Sequence, residues 1–305
     1  MIDTVTLFLE TYDSEKAEAA LSSQKESVNR DTGEVAVNGL FESLRVKITG
    51  QGVSVNGSLS GFYHGSNSVD LTRADTGRAI EKISDGLHLP MNQAKVYRLD
   101  AAQNLSMNKP VTAYLSQLIS TPYLKRSEHG DGSTVNFSSK KRALVFYDKV
   151  ASITAKHQAM PEGFRGSNIL RYENRALRNA AKQFNREEIL AGDLSQEAFF
   201  NRIIDKWLAD YSSVKKIRRP QDINFQSVRT LETSIARHGL PECGGHDNLI
   251  RLIKAEQKQG RASKMKALRL REKIKSLAIA PCNEDKTDDI AELDEKINHS
   301  AEACR

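Results

Sequence analysis

Three short segments of this chain carry residues that could together attack a phosphodiester bond. Tyr147 ends a strand-like run of alternating side chains. Arg98 and Asp100 lie two residues apart in one apolar segment, and Arg171 and Glu173 repeat that spacing in another. Because side chains two apart on a strand point to the same face, each Arg–carboxylate pair would share one face of a sheet. A phenol, two carboxylates and two guanidiniums on one sheet surface suit metal-assisted attack of a tyrosine on a phosphodiester.

The two carboxylates are the candidate metal ligands. Converging carboxylates bind a hard cation, and Mg²⁺ or Mn²⁺ would take Asp100 and Glu173 together with substrate phosphate oxygens. The alternative is structural, since a buried carboxylate needs a partner and Arg98 or Arg171 could simply provide one. Two such pairs in one domain shift the balance towards a cation site.

Tyr147 is the candidate nucleophile, although a tyrosine in a strand is usually a core or rim residue. Its surroundings are basic, because Lys149 follows it and Lys140, Lys141 and Arg142 precede its strand. A phosphate backbone that passes this edge would meet several cations. Lys149, Arg98 and Arg171 could also add fixed positive charge at the reacting phosphate.

The hydropathy pattern predicts an α+β fold, with a mixed or antiparallel central sheet, helices on one side, and an all-helical C-terminal region. Asn56-Gly57 between alternating residues predicts a hairpin turn, and the polar stretch Ser22–Gly33 predicts a loop. We expect three regions: a sheet domain that carries the candidate catalytic residues (1–190), a basic helical accessory region that binds DNA (191–278), and an acidic, disordered tail (279–305).

Composition and charge indicate a soluble protein with a polyanionic partner. The chain has 305 residues, 39% of them hydrophobic, and a formal net charge of +6. No apolar run approaches the length of a membrane span, and three sparse cysteines suit a reducing cytoplasm. Residues 213–276 hold sixteen Lys and Arg against six Asp and Glu. The basic residues expected to hold duplex DNA by its backbone there are Lys215, Lys216, Arg218 and Arg219.

Several motifs occur in an order that resembles a known family. They are Met1–Val5, the strand Val96–Ala101, the hairpin Thr134–Tyr147, and Ile169–Glu173 followed by Arg175. Together they resemble the gene II/X replication initiators of filamentous bacteriophages and related plasmid replication proteins, over roughly residues 1–210.

The resemblance implies rolling-circle initiation in the cytoplasm of a bacterial host. Such a protein binds a double-stranded origin, nicks one strand with a tyrosine and stays attached to the 5′ phosphate. The free 3′ hydroxyl primes synthesis, which brings in a host helicase and polymerase. The initiator then cleaves the displaced single strand again and rejoins its ends. Tyr147 is similar in position to the family's nucleophile, and Asp100 and Glu173 fall where metal-binding carboxylates are expected.

The sequence differs from many rolling-circle nucleases in two respects, and two alternative functions fit the same residues. The chain has no His-x-His metal motif of the kind many rolling-circle nucleases use, and no second tyrosine lies close to Tyr147. A non-catalytic DNA-binding regulator would use the same basic surface. A plain metal nuclease would use Asp100 and Glu173 to activate water and would form no covalent adduct.

Overall fold

The computed structural model describes residues 1–11, 14–28, 30–217, 227–242, 245–278 and 289–305. Within these ranges the strands are β1 (Ile2–Glu10), β2 (Ser22–Val28), β3 (Val35–Phe41), β4 (Leu44–Thr49), β5 (Gly52–Ser58), β6 (Lys95–Met107), β7 (Leu118–Ser120), β8 (Lys125–His129), β9 (Thr134–Ser138), β10 (Arg142–Asp148), β11 (Asn168–Ala176) and β12 (Lys215–Lys216). The helices are α1 (Glu15–Ala19), α2 (Leu59–His64), α3 (Arg73–Leu87), α4 (Val111–Leu115), α5 (Lys149–Ala155), α6 (Ala180–Gln183), α7 (Glu197–Ser212), α8 (Val228–Glu242), α9 (Gly245–Lys258), α10 (Lys264–Ala278) and α11 (Asp289–Ala303).

Ten strands form one antiparallel sheet in the order β2-β3-β4-β5-β1-β6-β11-β10-β9-β8. The short strands β12 and β7 pair separately. The three strands that carry the candidate chemistry, β6, β11 and β10, are direct neighbours in the sheet. This large antiparallel sheet with helices, followed by helices in the C-terminal region, confirms the expected α+β fold.

The two faces of the large sheet differ in polarity because apolar and polar residues alternate along its strands. Leu7, Phe146 and Tyr172 lie on the buried face, and their side chains belong to one hydrophobic core with those of α3 and α7. The rings of Phe146 and Tyr172 stack with their centroids 4.4 Å apart, and the Tyr172 hydroxyl donates to the Trp207 carbonyl. Each large apolar side chain buried in this way contributes about 1.5–3 kcal/mol. The opposite face is polar and carries the candidate site.

The predicted turn at Asn56-Gly57 was wrong, because both residues lie inside β5. Asn56 pairs with Thr6 and Gly57 with Val5, while the turn before β5 falls at residues 50–51. A Cβ atom on Gly57 would lie 2.7 Å from Cδ2 of Leu44. Close packing, rather than a positive φ angle, therefore accounts for this glycine.

The predicted loop Ser22–Gly33 was also wrong over its first part. Strand β2 occupies Ser22–Val28, pairs with β3 at one end of the sheet, and has every side chain exposed. An edge strand that buries neither face has no alternating hydropathy pattern to reveal it.

The chain divides into two compact units, residues 1–217 with 289–305, and residues 218–288. This division differs from the expected one at 190 and 278. The first unit includes α7, and it also includes α11 from the segment expected to be a disordered tail. Leu293 and Ile297 of α11 are buried in the core of the first unit. Residues 279–288 lie outside the described residues.

The second unit contains α8, α9 and α10, which contact one another. Its helices are amphipathic and carry many of the basic residues counted in the sequence. Among the described helices, none combines the length and the apolar character that crossing a bilayer requires.

Candidate functional site

The strand register brings the predicted site residues to one face of the sheet. Tyr147 on β10 lies directly opposite Arg171 on β11. Further along β11, Arg175 lies opposite Asp100 on β6. Glu173 stands between these two arginines, on the same side of the strand. The geometric convergence expected from the sequence is therefore present.

The Tyr147 hydroxyl donates a hydrogen bond to Oε1 of Glu173 at 2.8 Å. The tyrosine is half-buried at the end of β10, where Asp148 caps α5 by accepting a hydrogen bond from the Ala151 amide. Burial, together with the adjacent negative charge of Glu173, raises the pKa of Tyr147 above its usual value. The resting phenol is therefore protonated, held by a carboxylate and partly open to solvent.

Arg171 is the buried centre of this network, with a side chain only 2% exposed. Its Nε lies 2.8 Å from Oε1 of Glu173, and its Nη2 lies 3.0 Å from Oδ2 of Asp3. Its Nη1 donates to the backbone carbonyl of Asn67 and to the side-chain oxygen of Asn104, both at 3.1 Å. Every nitrogen of this guanidinium thus has a partner, as a buried charge requires.

Glu173 is held ionised by its neighbours. Burial opposes the charged form, but the Arg171 and Arg175 guanidiniums outweigh it and lower the pKa of Glu173 to about 2. Arg175 binds Oε2 of Glu173 through Nη2 at 2.6 Å, while Oε1 takes Arg171 and Tyr147. Both carboxylate oxygens are therefore occupied.

Asp100 is buried beside Arg98, which binds it through Nε and Nη2 at 2.6–3.2 Å. Burial raises the pKa of Asp100 to about 6, although Arg98 works in the opposite direction. Nε of Arg175 approaches Oδ2 of Asp100 at 3.9 Å. Arg175 therefore lies between the two carboxylates and contacts both.

Lys149 begins α5, two residues after Tyr147, and is buried. Its Nζ donates to the side-chain oxygen of Asn67 at 2.8 Å. Burial lowers the pKa of Lys149 to about 8, and the nearby Arg171 adds to this effect. The ammonium is thus charged at neutral pH but close to titration.

The sequence reasoning did not select Asp3, Asn67, Asn104 or Arg175 as site residues. Asp3 accepts from the Ser58 hydroxyl at 2.7 Å and pairs with Arg171. Asp3 is the single charged residue among residues 1–9, and this was the signal in the sequence that could have identified it. Asn67 follows α2 in a segment without regular structure, so its approach to the site depends on tertiary packing.

The predicted cation site does not fit this arrangement as it stands. Asp100 and Glu173 have the donor chemistry for a hard cation, but guanidinium nitrogens already contact their oxygens and Arg175 lies between them. In the described part of the chain, no group of three or more His, Cys, Asp or Glu side chains could hold a metal ion. The magnesium or manganese requirement stays a prediction, and we derive no chemical step through a metal.

The residues predicted to bind DNA are spread over several environments. Lys140 and Lys141 are exposed in the turn before β10, whereas Arg142 pairs with Asp210 at 3.2 Å. Lys215 is exposed, but Lys216 lies over the Tyr211 ring and pairs with Asp294 at 3.1 Å. Arg218 and Arg219 lie outside the described residues.

Comparison with known families gives one finding. A model of the N-terminal region of the phage gene II-type replication-associated proteins matches residues 1–207. The match spans about two thirds of the chain and includes all of the side chains in the network around Tyr147. A comparison with curated proteins found no significant match.

Proposed function

Because this chain belongs to the filamentous-phage gene II-type family of replication-associated proteins, we propose that it initiates rolling-circle replication as an origin nickase. In this proposal, Tyr147 cuts one strand of a double-stranded origin and later rejoins the displaced strand. Origin DNA and the displaced single strand are its substrates, and a host helicase and polymerase extend the free end. Nicking and rejoining would take place in the cytoplasm of the bacterial host.

The observation that supports this activity best is the Tyr147–Glu173 hydrogen bond among several fixed cations. A phenol is a weak nucleophile until a base or nearby charge activates it. Here a carboxylate already accepts the phenolic proton in a hydrogen bond of 2.8 Å. Arg171, Arg175 and Lys149 supply positive charge close to the same centre.

The nicking step would exchange one phosphodiester for another. The Tyr147 oxygen attacks phosphorus, the bond from phosphorus to the 3′ oxygen breaks, and the 5′ phosphate remains on the tyrosine. The phenolic proton passes to Glu173 and from there to solvent, and the leaving 3′ oxygen takes up a proton from solvent water to become a hydroxyl, so one proton is lost and one gained. Reversal by a free 3′ hydroxyl rejoins the strand, and no nucleotide cofactor is needed because the ester is conserved.

Substrate binding would also change the pKa of Glu173, the proposed proton acceptor. Arg171 and Arg175 keep the pKa of Glu173 near 2 in the free protein, which makes it a weak proton acceptor. A phosphate group that pairs with Arg175 would weaken the ion pair between Arg175 and Glu173 and so raise the pKa of Glu173. The phenol is then activated only when a phosphodiester is in place.

The test uses a supercoiled plasmid that carries the origin, incubated with the protein and Mg²⁺ or Mn²⁺. We expect relaxation and protein covalently attached to the DNA after denaturation, and we expect neither with Tyr147→Phe. The matched control is Tyr123→Phe, because Tyr123 is 96% exposed and lies outside the network. Cleavage without an adduct would indicate a plain metal nuclease. Origin binding without cleavage would indicate a non-catalytic regulator, and unchanged nicking by Tyr147→Phe would place the nucleophile elsewhere.

A further inference from the structure

The polar face of the sheet continues from the candidate site across five further strands. Arg98 on β6 lies opposite Thr6 on β1, and Thr6 lies opposite Asn56 on β5. Asn56 lies opposite Arg45 on β4, and its side-chain amide donates to Thr6 Oγ1 at 2.6 Å. The network around Tyr147 therefore shares one continuous surface with strands β1 to β5.

This surface is basic. Lys47 lies opposite Ser54 on one side and Asn38 on the other, and Asn38 lies opposite Lys25 on β2. The side chains of Lys25, Arg45 and Lys47 are exposed. None of these three forms an ion pair with another residue of the described part of the chain. Glu10 places one carboxylate on the same face, at the end of β1. Unpaired cations beside hydroxyl and amide groups are the complement of a phosphate backbone.

The surface is also concave. A groove of about 400 Å³ runs over β2 to β5 and is lined by the three cations together with Asn38, Ser54 and Asn56. Neighbouring strands lie about 4.8 Å apart, so the five steps from β4 to β10 span roughly 24 Å. A bound strand could therefore lie over the groove while another part of it reaches Tyr147.

Two aromatic rings lie between the groove and the site. Tyr97 is 46% exposed and packs edge-on against the half-buried ring of Phe8, with their centroids 6.2 Å apart. Bases stack on such exposed rings in proteins that bind single strands, because every base has a free face once it leaves the duplex. In a duplex the bases are stacked on one another, so exposed rings on a sheet favour a single strand.

We propose that the groove over β2 to β5, together with the adjacent rings of Phe8 and Tyr97, binds single-stranded DNA that leads to Tyr147. We call this combined surface the sheet groove and define it by Phe8, Lys25, Arg45, Lys47 and Tyr97. The cations contact phosphates, and Tyr97 with Phe8 receives a base. The inference rests on the proposed function for its choice of DNA as the partner. It adds a binding site that the sequence reasoning did not assign, since that reasoning placed DNA contacts at Lys140–Arg142 and beyond Ser213.

The test measures binding of a fluorescent single-stranded oligonucleotide over a series of salt concentrations. Replacing Lys25, Arg45 and Lys47 together by Gln removes three phosphate contacts. We expect weaker binding and a plot of log affinity against log salt that is shallower by about 2, at about 0.7 for each contact. The matched control replaces the exposed Lys16, Lys125 and Arg165 by Gln, removes the same charge, and is expected to leave the slope close to that of the unmodified protein.

A second variant tests the aromatic contact. Tyr97→Leu keeps an apolar side chain but removes the ring, and we expect at least about fivefold weaker single-strand binding. Tyr123→Leu, at a more exposed tyrosine, is the control and should bind as before. A duplex of the same sequence should be affected less than the single strand by either groove variant.

The outcomes separate this inference from the proposed function. The inference is overturned if both groove variants bind the single strand as the unmodified protein does. It is also overturned if the groove variants lose affinity only for the duplex, or if the control triple variant loses as much single-strand affinity as the groove triple variant. Tyr147→Phe should still bind the oligonucleotide, because binding needs no cleavage. If groove-dependent binding persists while the unmodified protein never nicks, only the nicking proposal fails.

Discussion

Replacing Arg171 by Met should destabilise the first unit strongly. The change removes ion pairs to two buried carboxylates, Glu173 at 2.8 Å and Asp3 at 3.0 Å. Methionine fills part of the space of the arginine stem but leaves both charges without their shared partner. Breaking a buried ion pair from one side typically costs about 3–5 kcal/mol. We therefore expect the free energy of unfolding at pH 7 to fall by about that amount.

The loss should shrink in acid, which separates an electrostatic cause from simple loss of packing. The ionised Glu173, with its pKa lowered to about 2 from an ordinary value of 4.5, contributes stability that is present above pH 4.5 and is lost as pH falls through 2. The unmodified protein should thus lose about 1.5 kcal/mol of this contribution between pH 7 and pH 3.5. In Arg171→Met that contribution is reduced to the part that Arg175 still supplies, so the gap between the two proteins narrows in acid by up to that amount.

The assay is urea unfolding followed by the fluorescence of Trp207, the single tryptophan, which is fully buried in the first unit. Arg178→Met is the control, because Arg178 is exposed and its loss should change stability by less than about 0.5 kcal/mol. Adding Glu173→Gln to Arg171→Met should restore part of the loss, since the two residues are directly coupled. A loss below about 1 kcal/mol, or a gap that stays constant from pH 7 to pH 3.5, would refute the reasoning.

Three further predictions concern the charge of Lys149, the requirement for a divalent cation, and the contribution of α11 to stability. The ammonium of Lys149, with its pKa lowered to about 8, is present below that pH, so the nicking rate that it supports should fall as pH rises through 8. Lys149→Arg should move this fall to higher pH in a pH–rate profile, and an identical profile would exclude the role. Removing divalent cations with EDTA should abolish nicking in a gel assay, and added Mg²⁺ or Mn²⁺ should restore it; nicking at full rate in EDTA would contradict the predicted metal requirement. Leu293→Ala should lower the unfolding free energy of the first unit by about 2–5 kcal/mol in the Trp207 assay, whereas Leu252→Ala, at a site 48% exposed, should not; equal effects would show that α11 does not stabilise the core through this side chain.

The arrangement of Tyr147 and Glu173 could be predicted because period-two alternation fixes which side chains share a face. Strands β10 and β11 each have an apolar set that must be buried, so their polar residues are forced to the other face. The direct pairing of the two strands then sets the hydrogen bond. Pairing of Asp100 with Arg98 and of Glu173 with Arg171 was the structural alternative that the sequence offered. The position of Arg175 between the two carboxylates was not predictable, since it depends on the register between β6 and β11.

Other parts of the fold left no local pattern to recognise. Strand β2 is exposed on both faces, and Asn67 reaches Arg171 and Lys149 from a segment without regular structure. The acidic composition of the last residues indicated a solvated tail. Helix α11 nevertheless buries a narrow stripe that includes Leu293 and Ile297, and a few apolar residues among many charges are enough when a core is available to receive them.

The return of the chain to the first unit has a consequence for how this protein can vary. The amide of Ile217, the last residue before the second unit, donates to the carbonyl of Gln117 at 2.9 Å. The side chain of the same Gln117 donates to Asp289, the first residue after that unit, at 3.2 Å. The residues that flank the second unit are thus both hydrogen-bonded to Gln117. Inserted domains are tolerated where the two ends of the insertion lie close together in this way. We therefore expect that replacing residues 218–288 by a short linker between Ile217 and Asp289 leaves the side chains around Tyr147 in place.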